Sequence, residues 1–210
     1  MPSDTFFRLP PQKRETLLTC AREEFARVSY PEASINRIIH NAHIPRGSFY
    51  MYFTDKADLF FYLMDCFADR LVNQLSKLLE QEKGDLFATA LALFDQVQTA
   101  CRQEGGEGGG GYIWRILRLN GRFTLDTLPR QAICGRFQAL LSQADTGKLD
   151  LRREGDLEEM FHILMDVTAP AVIRSALLDD PAAERERLVH ILEILRRGMC
   201  RPHARGHQPE

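Results

Sequence analysis

The sequence has little of what membrane-spanning, secreted and disulfide-rich proteins require. Its longest nearly apolar run, FATALALF at 87–94, falls far short of the roughly 18 residues that cross a bilayer. The start, MPSDTFFRLPPQKR, lacks the basic segment followed by an apolar one that marks a secretory signal. The five cysteines are an odd number, widely spaced and without a CxxC pair, which favours reduced, packed thiols over disulfides or a zinc site. We therefore expect a cytoplasmic protein without a membrane partner.

A strong charge of one sign is also absent. The net charge of −2 argues against a protein that coats nucleic acid over its whole surface. The distribution is uneven, because residues 1–56 contain eight Lys and Arg against six Asp and Glu, while the remainder carries a net charge of −4. This asymmetry permits DNA binding at the N-terminal end.

Strand patterns are nearly absent, since apolar residues recur at spacings of three and four rather than two. The predicted fold class is therefore all-α. The first helix is expected to start after Pro10 and Pro11, because proline suits the first turn of a helix. The later helices are expected at 35–42, shortly after 45, at 55–81, at 85–103, around Trp114, and at 128–144, 156–179 and 181–199. The glycine-rich segment 104–111 is expected to be a flexible break and the tail 201–210 to be disordered.

The stretch INRIIHNAHIPRGSFYMYFTDK at 35–56 predicts two short helices separated by a tight turn. That arrangement is what a helix-turn-helix DNA-binding motif requires. At about 100° per residue, Phe49 and Phe53 point inward together and anchor a helix that is too short to be stable alone. Gly47 and Met51 then point outward.

Residues 13–64 resemble the DNA-binding domain of the TetR family of one-component transcriptional regulators. The resemblance is carried by Ala21, Phe25, Ile38, Ile39, Ala42, Ile44, Gly47, Ser48, Phe49, Tyr50, Tyr52, Phe53, Lys56 and Leu59, and most specifically by GSFYMYFTDKADLF. The sequence departs from the family pattern at two positions. His43 stands where a turn glycine is usual, and histidine tolerates that conformation better than most residues but still unfavourably. Pro45 stands where a capping serine is frequent.

The resemblance implies that the second short helix enters the major groove of double-stranded operator DNA. Arg46 is the candidate for bidentate hydrogen bonding to guanine. The other candidate contacts are close backbone approach at Gly47, thymine methyl or sugar contacts by Tyr50 and Met51, phosphate contacts by Ser48, Tyr52 and Lys56, and groove-flanking positions at Asn36 and Arg37. The alternative interpretation is an ordinary surface around a packed aromatic cluster.

The resemblance also implies a small-molecule effector, largely apolar, bound inside the C-terminal helical domain. The candidate ligand-binding residues, which are equally compatible with plain core packing, are Phe67, Phe94, Trp114, Phe123, Phe137 and Met165. The last two helices have apolar faces too wide for one neighbour, and a four-helix homodimer interface would cover both. The candidate interface residues are Leu157, Phe161, Leu164, Leu188, Ile191, Leu192 and Leu195.

Two motifs suggest enzyme chemistry but lack the required context. Gly106, Gly108 and Gly111 satisfy GxGxxG, yet they follow a helical pattern rather than a strand, so no nucleotide site is predicted. Glu159 and His162 form one ExxH pair, whereas a di-iron bundle needs two such pairs and further glutamates. No catalytic residues, cofactor or metal are predicted.

The sequence thus predicts a helix-turn-helix domain at 1–56, a connecting helix at 55–81, a helical effector-binding and dimerisation domain at 57–200, and a short tail. The predicted function is a ligand-released, dimeric transcriptional repressor that binds a near-palindromic operator and is not an enzyme. The alternative hypothesis is a ligand-independent helical DNA-binding protein or adaptor, and a di-iron enzyme is a third hypothesis.

Overall fold

The computed structural model describes residues 1–103, 112–113, 115–120, 130–175 and 180–201. In these ranges the chain is all-α, as predicted. The helices are α1 Asp4–Phe7, α2 Pro11–Arg27, α3 Ile35–Asn41, α4 Arg46–Tyr52, α5 Lys56–Gln81, α6 Leu86–Gln103, α7 at residues 112–113 and 115–120, α8 Arg130–Leu141, α9 Asp156–Ser175 and α10 Pro181–Met199. Predictions for Trp114, Phe123, the segment 104–111 and most of the tail lie outside the described residues.

The chain divides into two compact units, each of which is described by itself. The first comprises Met1–Asn73 with Ala100–Gly135, and the second comprises Gln74–Thr99 with Arg136–Glu210. Within the described ranges, none of the helices combines the length and apolarity that crossing a membrane requires. The functional boundaries expected from the sequence, 1–56 and 57–200, stay a prediction.

The first unit is built around a cluster of aromatic rings. Phe6, Phe49, Phe53 and Phe60 are fully buried, and the ring centres of Phe6 and Phe53 lie 4.9 Å apart. Phe6 belongs to α1, a four-residue helix that the sequence analysis did not predict. Ahead of it, the Ser3 hydroxyl donates a hydrogen bond to the Met51 carbonyl (2.5 Å) and the Ser3 N–H donates to the Tyr52 carbonyl (2.9 Å). These bonds satisfy carbonyls at the end of α4, which would otherwise lack partners.

The second unit contains α9 and α10, which pack against each other. Ion pairs join Arg185 of α10 to Asp95 (2.7 Å) and Arg196 of α10 to Asp85 (2.9 Å). The turn after α5 depends on Gly84, because its φ is +83° and a Cβ there would lie 2.5 Å from the Asp145 nitrogen. The helix α10 has the bounds that the sequence predicted, whereas residues 176–179 at the predicted end of α9 lie outside the description.

Candidate nucleic-acid interface

The turn between α3 and α4 is closed by backbone hydrogen bonds that end α3. The N–H of His43 donates to the carbonyl of His40 (3.2 Å), and the N–H of Ile44 donates to the carbonyl of Ile39 (3.0 Å). This pair of bonds is the Schellman motif, which places its penultimate residue in the left-handed conformation usually given to glycine. His43 occupies that position with a φ of 52°. The strained turn conformation expected for His43 is therefore confirmed.

Pro45 begins the next helix without a side-chain cap. It lies at the N-cap of α4 with φ −62° and ψ 145°, and its carbonyl accepts the N–H of Ser48 at 3.0 Å. Because Pro45 sits outside the first turn, its missing N–H removes no helical hydrogen bond. The absent serine cap therefore does not prevent the helix from starting at Arg46.

The short helix α4 separates into a buried and an exposed face. Phe49 is fully buried, as is Phe53 immediately after the helix. On the opposite side Tyr50 is 47% exposed and Met51 is 60% exposed, which is unusual for side chains of this size. Arg46 and Gly47 are also exposed, and Ser48 and Tyr52 are half-buried. The orientation predicted from the helical period is therefore the one observed.

Three of the predicted contact residues meet on this exposed face. The Nη1 of Arg46 donates a hydrogen bond to the side-chain oxygen of Asn36 at 2.9 Å. The Arg46 guanidinium lies 5.9 Å from the centre of the Tyr50 ring. Asn36 is thus a direct partner of Arg46 and restricts where its guanidinium points. Gly47 adjoins this group, and a Cβ built on it would meet nothing within 4 Å.

The start of α3 is fixed by a buried carboxylate on α2. Glu24 is only 3% exposed, and its Oε1 accepts the N–H of Ser34 at 3.0 Å. Arg27 donates to both carboxylate oxygens, at 3.0 and 2.8 Å, and the Arg37 Nε lies 3.5 Å away. Burial raises the pKa of the Glu24 carboxyl, but the hydrogen bonds from Arg27 and Ser34 and the charges of Arg27 and Arg37 outweigh it and lower the pKa overall.

Lys56 is placed differently from the sequence prediction, which assigned its ammonium to a DNA phosphate. Its Nζ donates to three carbonyls, those of Tyr30 (2.7 Å), Pro31 (3.1 Å) and Ala33 (2.9 Å). It also lies 4.7 Å from the centre of the Tyr30 ring. An ammonium has three donors, and all three are used here. In this structure Lys56 therefore fastens the loop between α2 and α3 and has no donor left for a phosphate.

A buried amide that the sequence analysis did not single out fastens the same loop. Asn120 of α7 is 3% exposed, and its side-chain oxygen accepts the N–H of Tyr30 at 2.5 Å. Its amide nitrogen donates to the carbonyls of Ile116 (2.9 Å) and Phe25 (3.4 Å). An asparagine in an apolar helical pattern gave no sign of this role, because its partners in the loop region, the backbone atoms of Tyr30 and Phe25, are 90 and 95 residues away.

The candidate interface residues of the second unit are largely core residues of the single chain. Phe161, Leu164, Leu188 and Leu192 are buried, while Leu157, Ile191 and Leu195 are half-buried. The first four are therefore unavailable to a partner in this structure, because α9 and α10 cover them. The large apolar side chains that these helices do expose are Ile163, at 40%, and Ile194, at 49%.

The ligand-binding candidates are only partly described. Phe94 and Phe137 are buried, and the rings of Phe137 and Phe161 lie 5.1 Å apart. Phe67 and Met165 are half-buried. The predicted ligand site thus stays a prediction. Among the described residues, no group of three or more His, Cys, Asp or Glu is arranged to hold a metal.

The geometry of α2 to α4 defines a class of protein. Two short helices meet across a tight turn, the second is anchored by buried aromatics, and its outward face presents Arg46, Gly47, Tyr50 and Met51. These are the features of a helix-turn-helix DNA-binding protein.

Comparison with known proteins shows which regulators the chain resembles. Residues 17–63 match the family model of bacterial regulatory proteins, tetR family. A TetR family transcriptional regulator from Chloroflexus aurantiacus J-10-FL is 27% identical, with a TM-score of 0.54, and the match covers 96% of this chain and 100% of that one. The N-terminal region is thus similar to bacterial regulatory proteins of the tetR family, and the chain as a whole is similar to a TetR family transcriptional regulator.

More distant structures support the fold. A TetR-family regulator from Pectobacterium atrosepticum is 20% identical, with a TM-score of 0.59, over 93% of this chain and 99% of its own. The regulatory protein TetR from Rhodobacter sphaeroides is 18% identical, with a TM-score of 0.56, over 88% of this chain and 97% of its own. No curated protein matches the chain.

Proposed function

We propose that the chain is a ligand-responsive transcriptional repressor that binds a near-palindromic operator as a dimer and leaves it when a small molecule binds. The observation that carries the DNA-binding part is the exposed face of α4. Tyr50 and Met51 are large side chains left outside the core at 47% and 60% exposure, next to an arginine and a glycine. A solvent-facing surface of this kind is costly unless it has a partner.

The proposed contacts follow from what each side chain can reach. Arg46 has a planar fork of donors that matches the O6 and N7 acceptors of guanine, and Asn36 supports it. Tyr50 and Met51 offer apolar surface to thymine methyl groups, while Ser48, Tyr52 and Arg37 are assigned to the phosphates and groove edge. Lys56 is left out of this set, because carbonyls occupy its three donors.

Gly47 gives the sharpest test of the proposed docking. A Cβ at this position meets nothing within 4 Å, and no positive φ demands glycine there. Fold and stability therefore give no reason for glycine, which is up to about 1 kcal/mol less favourable than alanine inside a helix. Close approach of the helix backbone to DNA would explain why glycine occupies this position.

The experiment compares Gly47→Ala with Gly198→Ala. Gly198 lies in α10, and a Cβ on it also meets nothing within 4 Å. We expect both variants to unfold at the same urea concentration as the wild type or slightly above it. Only Gly47→Ala should lose affinity for the operator in a fluorescence anisotropy titration, by tenfold or more, which is about 1.4 kcal/mol. Unchanged operator affinity in a folded Gly47→Ala would refute the proposed docking of α4.

The proposed dimer uses faces of α9 and α10 that the single chain leaves open. On α9 the exposed stripe is Glu159, Ile163 and Asp166, and on α10 it contains Ile194 together with Arg187 and His190. Each stripe has an exposed isoleucine, the charges named on α9 are acidic, and the charge named on α10 is that of Arg187. Pairing α9 of one subunit with α10 of the other would cover both isoleucines and bring opposite charges together.

The proposed effector acts by favouring the conformation that does not bind DNA. To weaken operator binding a hundredfold, it must prefer that conformation by roughly 2.7 kcal/mol. The helix α5 is the proposed link, because its sequence runs without a break from the end of the DNA-binding region to Gln81. The apolar candidates Phe94, Phe137 and Met165 suit a largely apolar molecule.

A further inference from the structure

A groove with an excess of positive charge lies in the second unit, beside the C-terminal half of α10. It has a volume of about 860 Å³, which is within the range of small-molecule sites. Its charged lining consists of Lys148, Arg196, Arg197 and Arg201 against the carboxylate of Glu193. Its lining residues include none of α4 and none of the apolar candidates for the effector site.

The two segments that form the groove are fixed to each other by backbone hydrogen bonds. The N–H of Arg201 donates to the carbonyl of Lys148 at 2.9 Å, and the N–H of Asp150 donates to the carbonyl of Met199 at 2.8 Å. Leu149 and Cys200 form the isolated antiparallel bridge between these bonds. The backbone that carries Lys148 and Arg201 is therefore held in one register, which reduces the entropy that a ligand must overcome.

The four cations are not equally available. Arg196 is committed, because its Nη2 donates to both oxygens of Asp85, at 3.0 and 2.9 Å, and its guanidinium lies 4.7 Å from the centre of the Phe87 ring. Arg197 and Arg201 each use only the Nε, which donates to the carbonyls of Glu193 (3.3 Å) and Leu149 (3.1 Å).

Three cationic groups thus remain with donors to offer. The terminal nitrogens of Arg197 and Arg201, and the Nζ of Lys148, have no hydrogen-bond partner within the part of the chain that is described. Anchoring a guanidinium through its Nε leaves the two terminal nitrogens as an oriented fork, the geometry that binds a carboxylate or phosphate bidentately. The lining cations outnumber the one lining carboxylate, Glu193. Asp150 near Arg201 is already hydrogen bonded to Arg152, so a bound anion would reduce the remaining repulsion.

We propose that this groove binds a small organic anion that bears phosphate or carboxylate groups. The two arginine forks and Lys148 bind the anionic groups, and the aliphatic stems of the same residues contact the ligand's body. A volume of about 860 Å³ leaves room for such a body beyond an inorganic phosphate. The inference goes beyond the proposed function, since it concerns neither α4 nor the operator. The groove shares His190 with the proposed dimer face, and for that reason the test also measures the dimer.

The test is isothermal titration of the full-length protein with pyrophosphate and with citrate at constant ionic strength. We expect saturable binding of at least one of the two with one site per chain, and the tighter probe assigns the anionic group as phosphate or carboxylate. Lys148→Gln should weaken that binding about tenfold, as expected for the loss of one charge-assisted hydrogen bond. Arg197→Lys keeps the charge but removes the fork, and should weaken it similarly.

The matched control is Lys77→Gln, which removes one exposed positive charge from α5, within the same unit but outside the groove lining. It should leave the affinity for both probes unchanged, and thermal unfolding should show that every variant is folded. Three results would overturn the proposal: no saturable binding of either probe, an equal loss in Lys77→Gln, or a loss of dimer in Lys148→Gln with probe affinity unchanged. The last result would mean that the groove faces a second copy of the chain.

Discussion

Arg46 and Asn36 act as a pair at the scale of single residues. Since the guanidinium is already hydrogen bonded to Asn36 at 2.9 Å, part of the side-chain entropy of Arg46 is lost before DNA binds. The amide also occupies one terminal nitrogen, which limits the directions in which the fork can point. Asn36 therefore has a positioning role in addition to any contact of its own.

We predict that Arg46→Ala weakens operator binding by about 1–3 kcal/mol and relaxes base preference at one position in each half-site. Asn36→Ala should cost less, about 1 kcal/mol, and the double variant should cost little more than Arg46→Ala alone, because Asn36 acts through Arg46. Anisotropy titrations against operator and scrambled duplexes measure all three. If the two single effects simply add, then Asn36 acts independently of Arg46.

Glu24 couples α2 to the first turn of α3 through its ionised form. The pKa of its carboxyl is lowered from the ordinary value of 4.5, so the ionised group stabilises the fold above that pH. This stabilisation is lost as the pH falls through the lowered pKa, because protonation then removes the interaction with Arg27.

We predict that Glu24→Gln lowers the free energy of unfolding by roughly 2 kcal/mol at pH 7, since it removes charge-assisted hydrogen bonds from a buried site. The difference from the wild type should begin to shrink as the pH falls below 4.5, where the carboxyl of the unfolded chain becomes protonated, and should vanish below the lowered pKa of the folded state. Urea unfolding at pH 7, 5 and 4 checks this. A difference that stays constant over that range would show that the charge of Glu24 is not what matters.

At the scale of helices, the sequence predicted those elements that have a clear helical spacing of apolar residues or recognisable residues at their ends. The helices α2, α3, α4, α5 and α10 start and end within a few residues of the expected positions. The helix α1 was missed because four residues give no period. Phe6 is fixed by the rings of Tyr52 in α4, Phe53 just after it and Tyr62 in α5, which are distant in the sequence. The loop from 28 to 34 has no sequence pattern that predicts its partners, yet Lys56 and Asn120 both hold it in place.

Lys56 shows why a motif position does not fix a physical role. The positive charge of a lysine near a DNA-binding helix favours a phosphate contact. The observed partners of Lys56 are instead three loop carbonyls, which the motif does not indicate. Those carbonyl positions follow from tertiary packing around Phe25, Tyr30 and Phe60, whose rings are 5.0 to 6.2 Å apart. The pattern of residue types in the sequence does not predict where individual backbone carbonyls lie.

We predict that Lys56→Met, which keeps the apolar stem, lowers the free energy of unfolding by about 1–3 kcal/mol, because it leaves three carbonyls without their donor. Binding to operator and to random DNA should weaken together, while the slope of log affinity against log salt stays at the wild-type value. The comparator is Arg37→Gln, whose side chain is 54% exposed and whose loss should reduce the slope by about 0.9 if it neutralises one phosphate. A reduced slope in Lys56→Met would restore the phosphate contact inferred from the sequence.

At the scale of the whole molecule, the sequence predicts that the broad apolar faces of α9 and α10 need cover on more than one side, and the cover from a second subunit stays a prediction. The pattern alone does not say which stripe faces the chain's own core and which faces a partner. Leu164 and Leu188, both 1% exposed, lie in the core of the chain, while Ile163 and Ile194 are exposed. Ile163 is one residue from the buried Leu164 and Ile194 is two residues from the buried Leu192, and a hydrophobicity pattern does not separate positions this close together.

The dimer prediction therefore rests on the two exposed isoleucines. We predict that the wild type elutes with about twice the 24.1 kDa chain mass in size exclusion with light scattering, and that the double variant Ile163→Glu with Ile194→Glu elutes as a monomer. Burying glutamates at a subunit interface costs several kcal/mol. The variant should lose operator binding as well, since each half-site is then bound separately and the avidity of two linked DNA-binding domains is lost.

The control is Met51→Glu, which places the same charge at a side chain that is 60% exposed on α4. It should abolish operator binding while leaving the dimer intact. A double variant that remains dimeric at micromolar concentration would place the interface on other residues.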